Sequence, residues 1–178
     1  MRLKIVALVV ALQCTWILGT AFQQERALAV GKIILLETRP VDPHDLLRGD
    51  YVILNYKISD IPGDFFSPPL ANEVPAGTAV YVGLRSHGQF FEVSRARLEY
   101  FEADADEVVL RGRSVWQWGS PNNVHVDYGL GRYYVGEGKG NPRGKLTVQV
   151  AVPDSGQGRI KDVLIDGKPY AEAMKDVN

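Results

Sequence analysis

Asp42-Pro43-His44-Asp45-Leu46-Leu47-Arg48-Gly49-Asp50-Tyr51-Val52-Ile53-Leu54-Asn55-Tyr56-Lys57-Ile58-Ser59 contains the change of periodicity that decides the fold. Its first half predicts a very short helix with both ends specified. Asp42 suits the N-cap, Pro43 the first helical position, where no N–H is needed, and Asp45 the positive end of the helix. Arg48 falls at the negative end, and Gly49 can take the left-handed conformation that ends the turn. From Asp50 onward the chain alternates. Val52, Leu54, Tyr56 and Ile58 share one face of a strand, while Tyr51, Ile53, Asn55 and Lys57 share the other. The first face is expected to be core. The second is mixed, which fits an amphipathic strand, with a partly covered or ligand-facing surface as the alternative.

Outward from this stretch the chain is short apolar runs punctuated by Gly, Pro, Asp and Asn. Residues 32–37, 51–59, 78–84, 89–93, 107–115, 145–152 and 159–165 are expected strands, with Val, Ile, Tyr and Phe supplying the β preference. Ser86-His87-Gly88 and Asp154-Ser155-Gly156-Gln157-Gly158 read as hairpin turns. Neither has room for a crossover helix, so antiparallel pairing follows. The expectation is a mainly β domain, a compact antiparallel sandwich or barrel, with one short helix before the strand at Tyr51. Residues 61–77, with Pro62-Gly63, Pro68-Pro69 and Pro75-Ala76-Gly77, are expected to form a long surface loop. Residues 170–178 are expected to hold a frayed helical turn.

At the N-terminus, Arg2 and Lys4 precede a run from Ile5 to Phe22 whose only polar side chains are Gln13, Thr15 and Thr20. About 18 helical residues reach roughly 27 Å, close to the hydrocarbon thickness of a bilayer. The basic residues in front of the run predict a cytoplasmic N-terminus and a domain facing outward. The expected division is therefore 1–25 as signal anchor and 26–178 as extracytoplasmic domain. The location is a bacterial-type inner or plasma membrane, with the domain in the periplasm. Cleavage is the alternative, because Gly19-Thr20-Ala21 presents small residues to a signal peptidase, but the apolar run is longer than the usual secretory core.

The 178 residues carry a net charge of -1, with 46% hydrophobic and 23% charged residues, a composition that folds into one domain of ordinary size. A pI near 6.3 without a basic run argues against nucleic acid as partner. Cys14, the single cysteine, lies within the apolar run, which leaves the domain without a disulfide. Leu12-Gln13 ahead of it places a bulky polar side chain where lipidation needs a small one. His44, His87 and His125 are dispersed, so no metal site is expected, and Glu102, Asp104, Asp106 and Glu107 lack the regular spacing of a calcium loop. No cofactor and no complete catalytic set is expected. The Arg48-Gly49-Asp50 triplet is used up by a helix end and a strand start. Residues 46–52 also resemble the surroundings of the nucleophile in signal-peptidase-like serine proteases, but no serine lies between Phe22 and Gly49 for a base to activate. Trp116, Gln117 and Trp118 read as rim packing.

Gly49-Asp50-Tyr51-Val52-Ile53-Leu54-Asn55-Tyr56 resembles the signature of the GDYxxLxY family at every specified position, after an Arg39-Pro40-Val41-Asp42-Pro43 lead-in. Tyr128-Gly129-Leu130-Gly131-Arg132-Tyr133-Tyr134-Val135-Gly136-Glu137-Gly138 is similar to the family's second block, an aromatic-rich strand ending in an acidic residue and glycine. Gly131 and Gly136 stand where that block carries an acidic residue and a proline. The resemblance implies a single-span membrane-anchored protein of unassigned function whose relatives accompany multi-pass membrane proteins.

The candidate binding residues are Asp50, Tyr56, Arg132, Tyr134 and Glu137. A carboxylate beside a guanidinium is more commonly architecture, so an Asp50–Arg132 pair joining two strand starts is the simpler expectation. Two functional readings follow. One is an accessory or binding module for an integral membrane partner. The other is a membrane-tethered hydrolase drawing an acid–base pair from Asp50, Glu137 and Asp42, with Arg132 as anion holder, and it requires these groups to converge in a cleft.

Overall fold

The computed structural model describes residues 2–39, 51–115, 122–136 and 144–175. Helix α1, Arg2–Val30, carries the apolar run, and Lys4–Phe22 is long and apolar enough to cross a membrane, with none of it buried against the rest of the chain. One residue, Gly31, separates α1 from strand β1, Lys32–Glu37. The remaining elements are β2 (Tyr51–Ile53), β3 (Asp60–Pro62), β4 (Ala79–His87), β5 (Phe90–Arg97), β6 (Glu107–Val115), β7 (Asn123–Asp127) and β8 (Arg132–Tyr134). They are followed by β9 (Leu146–Val152), β10 (Arg159–Ile165), β11 (Lys168–Pro169) and the single-turn helix α2 (Tyr170–Ala173).

The strands form three antiparallel sheets, ordered β1-β9-β10-β11, β3-β7-β6-β4-β5 and, as a two-stranded ribbon, β2-β8. The fold is mainly β, as the alternation predicts. Both expected turns close hairpins. Gly88, with φ of 63°, starts the tight turn between β4 and β5, a backbone position that a side chain would strain. The turn at 153–158 joins β9 to β10. Between the two larger sheets lies one hydrophobic core. Ile34, Leu36, Val148, Val150 and Val163 come from the first sheet, and Val80, Val82, Leu84, Leu110 and Val126 from the second, each almost completely buried. Burial of each such aliphatic side chain stabilises the fold by about 1.5–3 kcal/mol.

The segment 51–59 departs from a continuous strand. Only Tyr51–Ile53 pairs, with Arg132–Tyr134. Leu54 N–H then donates to Gly131 C=O at 2.9 Å, Tyr56 makes an isolated bridge with Thr38, and Lys57–Ser59 coils into a short 3-10 turn. The alternating burial survives the break. Val52, Leu54, Tyr56 and Ile58 are all at most 4% exposed, while Asn55 and Lys57 face solvent. Alternation records which side faces the core and is blind to whether a neighbouring strand is long enough to hold the backbone.

The expected surface loop 61–77 is also corrected at its start. Ile61 lies in β3 and is fully buried, and Phe66, 4% exposed, bridges to Ala96. Beyond these two anchors the chain is loop up to β4. The helical turn expected near residue 170 is α2, whose Tyr170 and Met174 are buried. The short helix expected over 42–49 and the Trp116–Trp118 pair lie outside the described residues.

Candidate functional site

The signature strand and the second block meet. In register, Tyr51 faces Tyr134, Val52 faces Tyr133 and Ile53 faces Arg132. Because side chains alternate across a ribbon, Val52 and Tyr133 turn inward, and Tyr133 meets Tyr170 edge to face at 5.6 Å between ring centroids. Tyr51, Ile53, Arg132 and Tyr134 turn outward. The Tyr51 and Tyr134 rings stand 6.1 Å apart, tilted by 59°, and the Arg132 guanidinium lies 5.4 Å from the centre of the Tyr51 ring. Such a cation–π contact stabilises by about 0.5–1 kcal/mol at an exposed site. Tyr134 is 72% exposed. An arginine beside one tyrosine with a second, exposed tyrosine next to it is the side-chain chemistry that concentrates energy in protein interfaces.

Of the residues singled out in the sequence, the structure thus brings Arg132 and Tyr134 together on one face. It places Tyr56 elsewhere. Tyr56 is buried, and its hydroxyl donates to Leu130 C=O at 2.8 Å, while Tyr128 returns the contact by donating to Ile58 C=O at 2.8 Å. These two phenols peg the signature segment to the second block from both sides, and burial pushes both above the ordinary tyrosine range. Asp42, Asp50 and Glu137 lie outside the described residues.

A second polar cluster borders the same segment. Asp60, in β3, stands in register with His125 of β7. The Asp60 carboxylate contacts His125 Nδ1 at 2.5 Å through one oxygen and is ion-paired with Arg39 through the other. Burial alone would raise the Asp60 carboxyl. The His125 hydrogen bond and the Arg39 charge outweigh it and hold the group below the usual carboxylate range. The carboxylate holds the imidazole by its Nδ1. Among the described residues no hydroxyl or thiol is hydrogen-bonded to the imidazole, so the pair orients a ring without activating a nucleophile. Sequence reasoning did not find this pair. The two residues are 65 apart in the chain, and nothing in either local pattern announces the other.

Two further carboxylates are fully engaged. Glu37 binds both Lys57 and Lys145 at 2.6 Å, and these hydrogen bonds hold its pKa down. Glu107 has no exposed side-chain surface. One of its oxygens accepts from Ser94 at 2.6 Å and from Arg95 Nε at 3.1 Å, and the other accepts from a second Arg95 nitrogen at 2.5 Å and from Asp104 N–H at 3.3 Å. Burial would raise this acid, but these donors overcome it and lower its pKa. Glu107 thereby ties β6 to β5 through Ser94 and Arg95, and to loop 98–106 through the Asp104 N–H. Among the described residues no three His, Cys, Asp or Glu side chains gather in a group that could hold a metal ion.

A mainly β domain behind an apolar N-terminal helix, its signature strand paired with an aromatic second block, defines the class of protein. The pattern of the GDYXXLXY protein family matches residues 13–163, and the chain belongs to that family. No curated protein matches the chain. No solved structure matches it.

Proposed function

We propose that this protein is a membrane-anchored, outward-facing accessory module that docks an integral membrane partner through the exposed face of the β2–β8 ribbon. The observation that carries the reading is the Tyr51–Arg132–Tyr134 cluster, an aromatic and cationic surface with Tyr134 72% exposed, built from the two most distinctive blocks of the sequence. Asp50 and Glu137 adjoin the ends of the same two strands in sequence. Support for the anchor comes from the uncovered apolar surface of α1, where Leu8, Leu12, Trp16 and Leu18 are each about 70% exposed or more. In water such a helix would be a continuous hydrophobic liability, and in a bilayer it is satisfied. Arg2 and Lys4 ahead of it support an outward-facing domain.

The test is gentle isolation of membranes carrying the full chain with a C-terminal tag, followed by mass spectrometry of what co-purifies and of the N-terminus. The expected result is a multi-pass protein recovered with the chain, an intact segment 2–22, and loss of that protein in an Arg132→Ala/Tyr134→Ala variant whose circular dichroism is unchanged. A cleaved chain recovered alone in the soluble fraction overturns the reading.

A further inference from the structure

The outward face of the five-stranded sheet carries a row of arginines that have no acidic partner among the described residues. Arg97 of β5 and Arg111 of β6 are both in direct register with Tyr81 of β4, one on each side, and Arg113 lies two residues further along β6, opposite Ala79. Alternation sends these side chains away from the core, whose side of the sheet is taken by Val80, Val82, Ala96 and Leu110. The Arg111 guanidinium sits 5.8 Å from the Tyr81 ring centre, and Tyr100, 59% exposed, packs edge to face on Tyr81 at 5.7 Å. Arg97 is stacked over Phe101 at 5.3 Å.

Among the described residues no ion pair joins Arg97, Arg111 or Arg113 to a carboxylate. This contrasts with Arg85 and Arg95 on the same strands, which are paired with Asp104, Asp106 and Glu107. Asp127, the register partner of Arg113, instead accepts the Gly129 N–H at 2.8 Å. Among the described residues the buried Nε of Arg97 finds no hydrogen-bond acceptor, a condition that a folded protein rarely leaves uncompensated. Three guanidinium groups on one face of the sheet, Arg111 against Tyr81, Arg97 against Phe101 and Arg113 donating to Gly77 C=O at 3.2 Å, make a basic surface for anionic oxygens.

The position of the row selects the source of those oxygens. Lys32, two residues after the end of α1, pairs with Val152, so that end of the first sheet is the end bearing the helix. The turn that follows β9 there reaches the arginine row, because Gly156 C=O accepts the Arg111 N–H at 2.8 Å. Arg159, at the other end of that turn, pairs with Ala151 and adds a further basic residue at the same end. From Phe22 to Val30 the helix rises only about 12 Å past its apolar run, comparable with the headgroup layer plus one Debye length.

We propose that Arg97, Arg111 and Arg113 form a contact surface for the phosphate headgroups of anionic lipids in the membrane that holds α1, and thereby fix the face that the domain turns to its partner. This rests on the anchored reading. The test uses the full chain in nanodiscs of phosphatidylcholine, with or without phosphatidylglycerol, and follows arginine modification by phenylglyoxal residue by residue. Phosphatidylglycerol is expected to slow modification of the three arginines by about fivefold each, the factor that an anionic surface exerts on one basic residue, and to lose this effect in high salt. Arg85 serves as the unaffected control.

Equal modification in both discs overturns the proposal. So does equal protection by inorganic phosphate in phosphatidylcholine discs, which would define a free-anion site. A chain that leaves the discs in an alkaline wash removes the anchored reading instead. Modification measured against phosphatidylglycerol vesicles then still decides the arginine face.

Discussion

At the scale of single residues, two hydroxyls join the signature segment to the second block. Tyr56 donates to Leu130 C=O and Tyr128 to Ile58 C=O, so each block supplies one donor and one acceptor to the other. Tyr56→Phe keeps the ring in place but strips a buried carbonyl of its donor. It is expected to lower stability by about 1–2 kcal/mol, read as a shift in urea midpoint without a change in slope. Carboxylates set the acid limit of the fold. Asp60 and Glu107 are held below their ordinary values of 3.8 and 4.5, so their stabilisation is complete above those values and is lost as pH falls through the lower folded-state values. Urea midpoints are therefore expected to decline between about pH 5 and about pH 3. Glu107→Gln is expected to be less stable at neutral pH and to show a flatter decline, because the group that takes up the proton is gone.

At the scale of elements, the clearest constraint is the meeting of β4, β5 and β6 at Gly83. A Cβ there would stand 2.3 Å from Glu107 Oε1 and 3.0 Å from Ser94 Oγ, two atoms already hydrogen-bonded to each other. Since Glu107 is clasped by Arg95 and cannot withdraw, Gly83→Ala is expected to cost about 2–3 kcal/mol, measured by thermal or urea unfolding. The same strands show what a sequence can disclose. Residues 107–115 and 159–165 form strands with the expected bounds, because flanking turns and an unbroken apolar pattern agree there. The break inside 51–59 was hidden by alternation that continues through the 3-10 turn. β3 and β7 are short and form through pairing across the chain, β3 with β7 and β7 also with the end of β6. For the candidate site, Arg132 and Tyr134 were legible through the second block. The Tyr51 stacking and the Asp60–His125 contact depend on register, which local composition does not encode.

At the scale of the whole molecule, α1 and the β-domain make opposite demands on solvent. The helix leaves its apolar surface uncovered while the domain seals its own core. A Leu8→Arg/Leu12→Arg chain places two guanidinium groups in the middle of the run, each unfavourable there by roughly 2.5–3.5 kcal/mol. It is expected to appear in the alkaline-soluble fraction, whereas the native chain stays with the membrane pellet, as immunoblotting of the two fractions reports. The junction between the two parts is a single residue, Gly31, and the helix touches β9 and β10 where it enters the domain. Such a short connection couples the direction of the helix to that of the domain. Helices in a bilayer tilt when its thickness and their apolar length disagree, and a domain joined this closely must swing with that tilt, as a pointer swings with its spindle. In the anchored reading proposed above, a mismatch between lipid and span becomes an angle of the domain, and a thickening or thinning membrane would re-aim its exposed tyrosines without altering a single contact inside the fold.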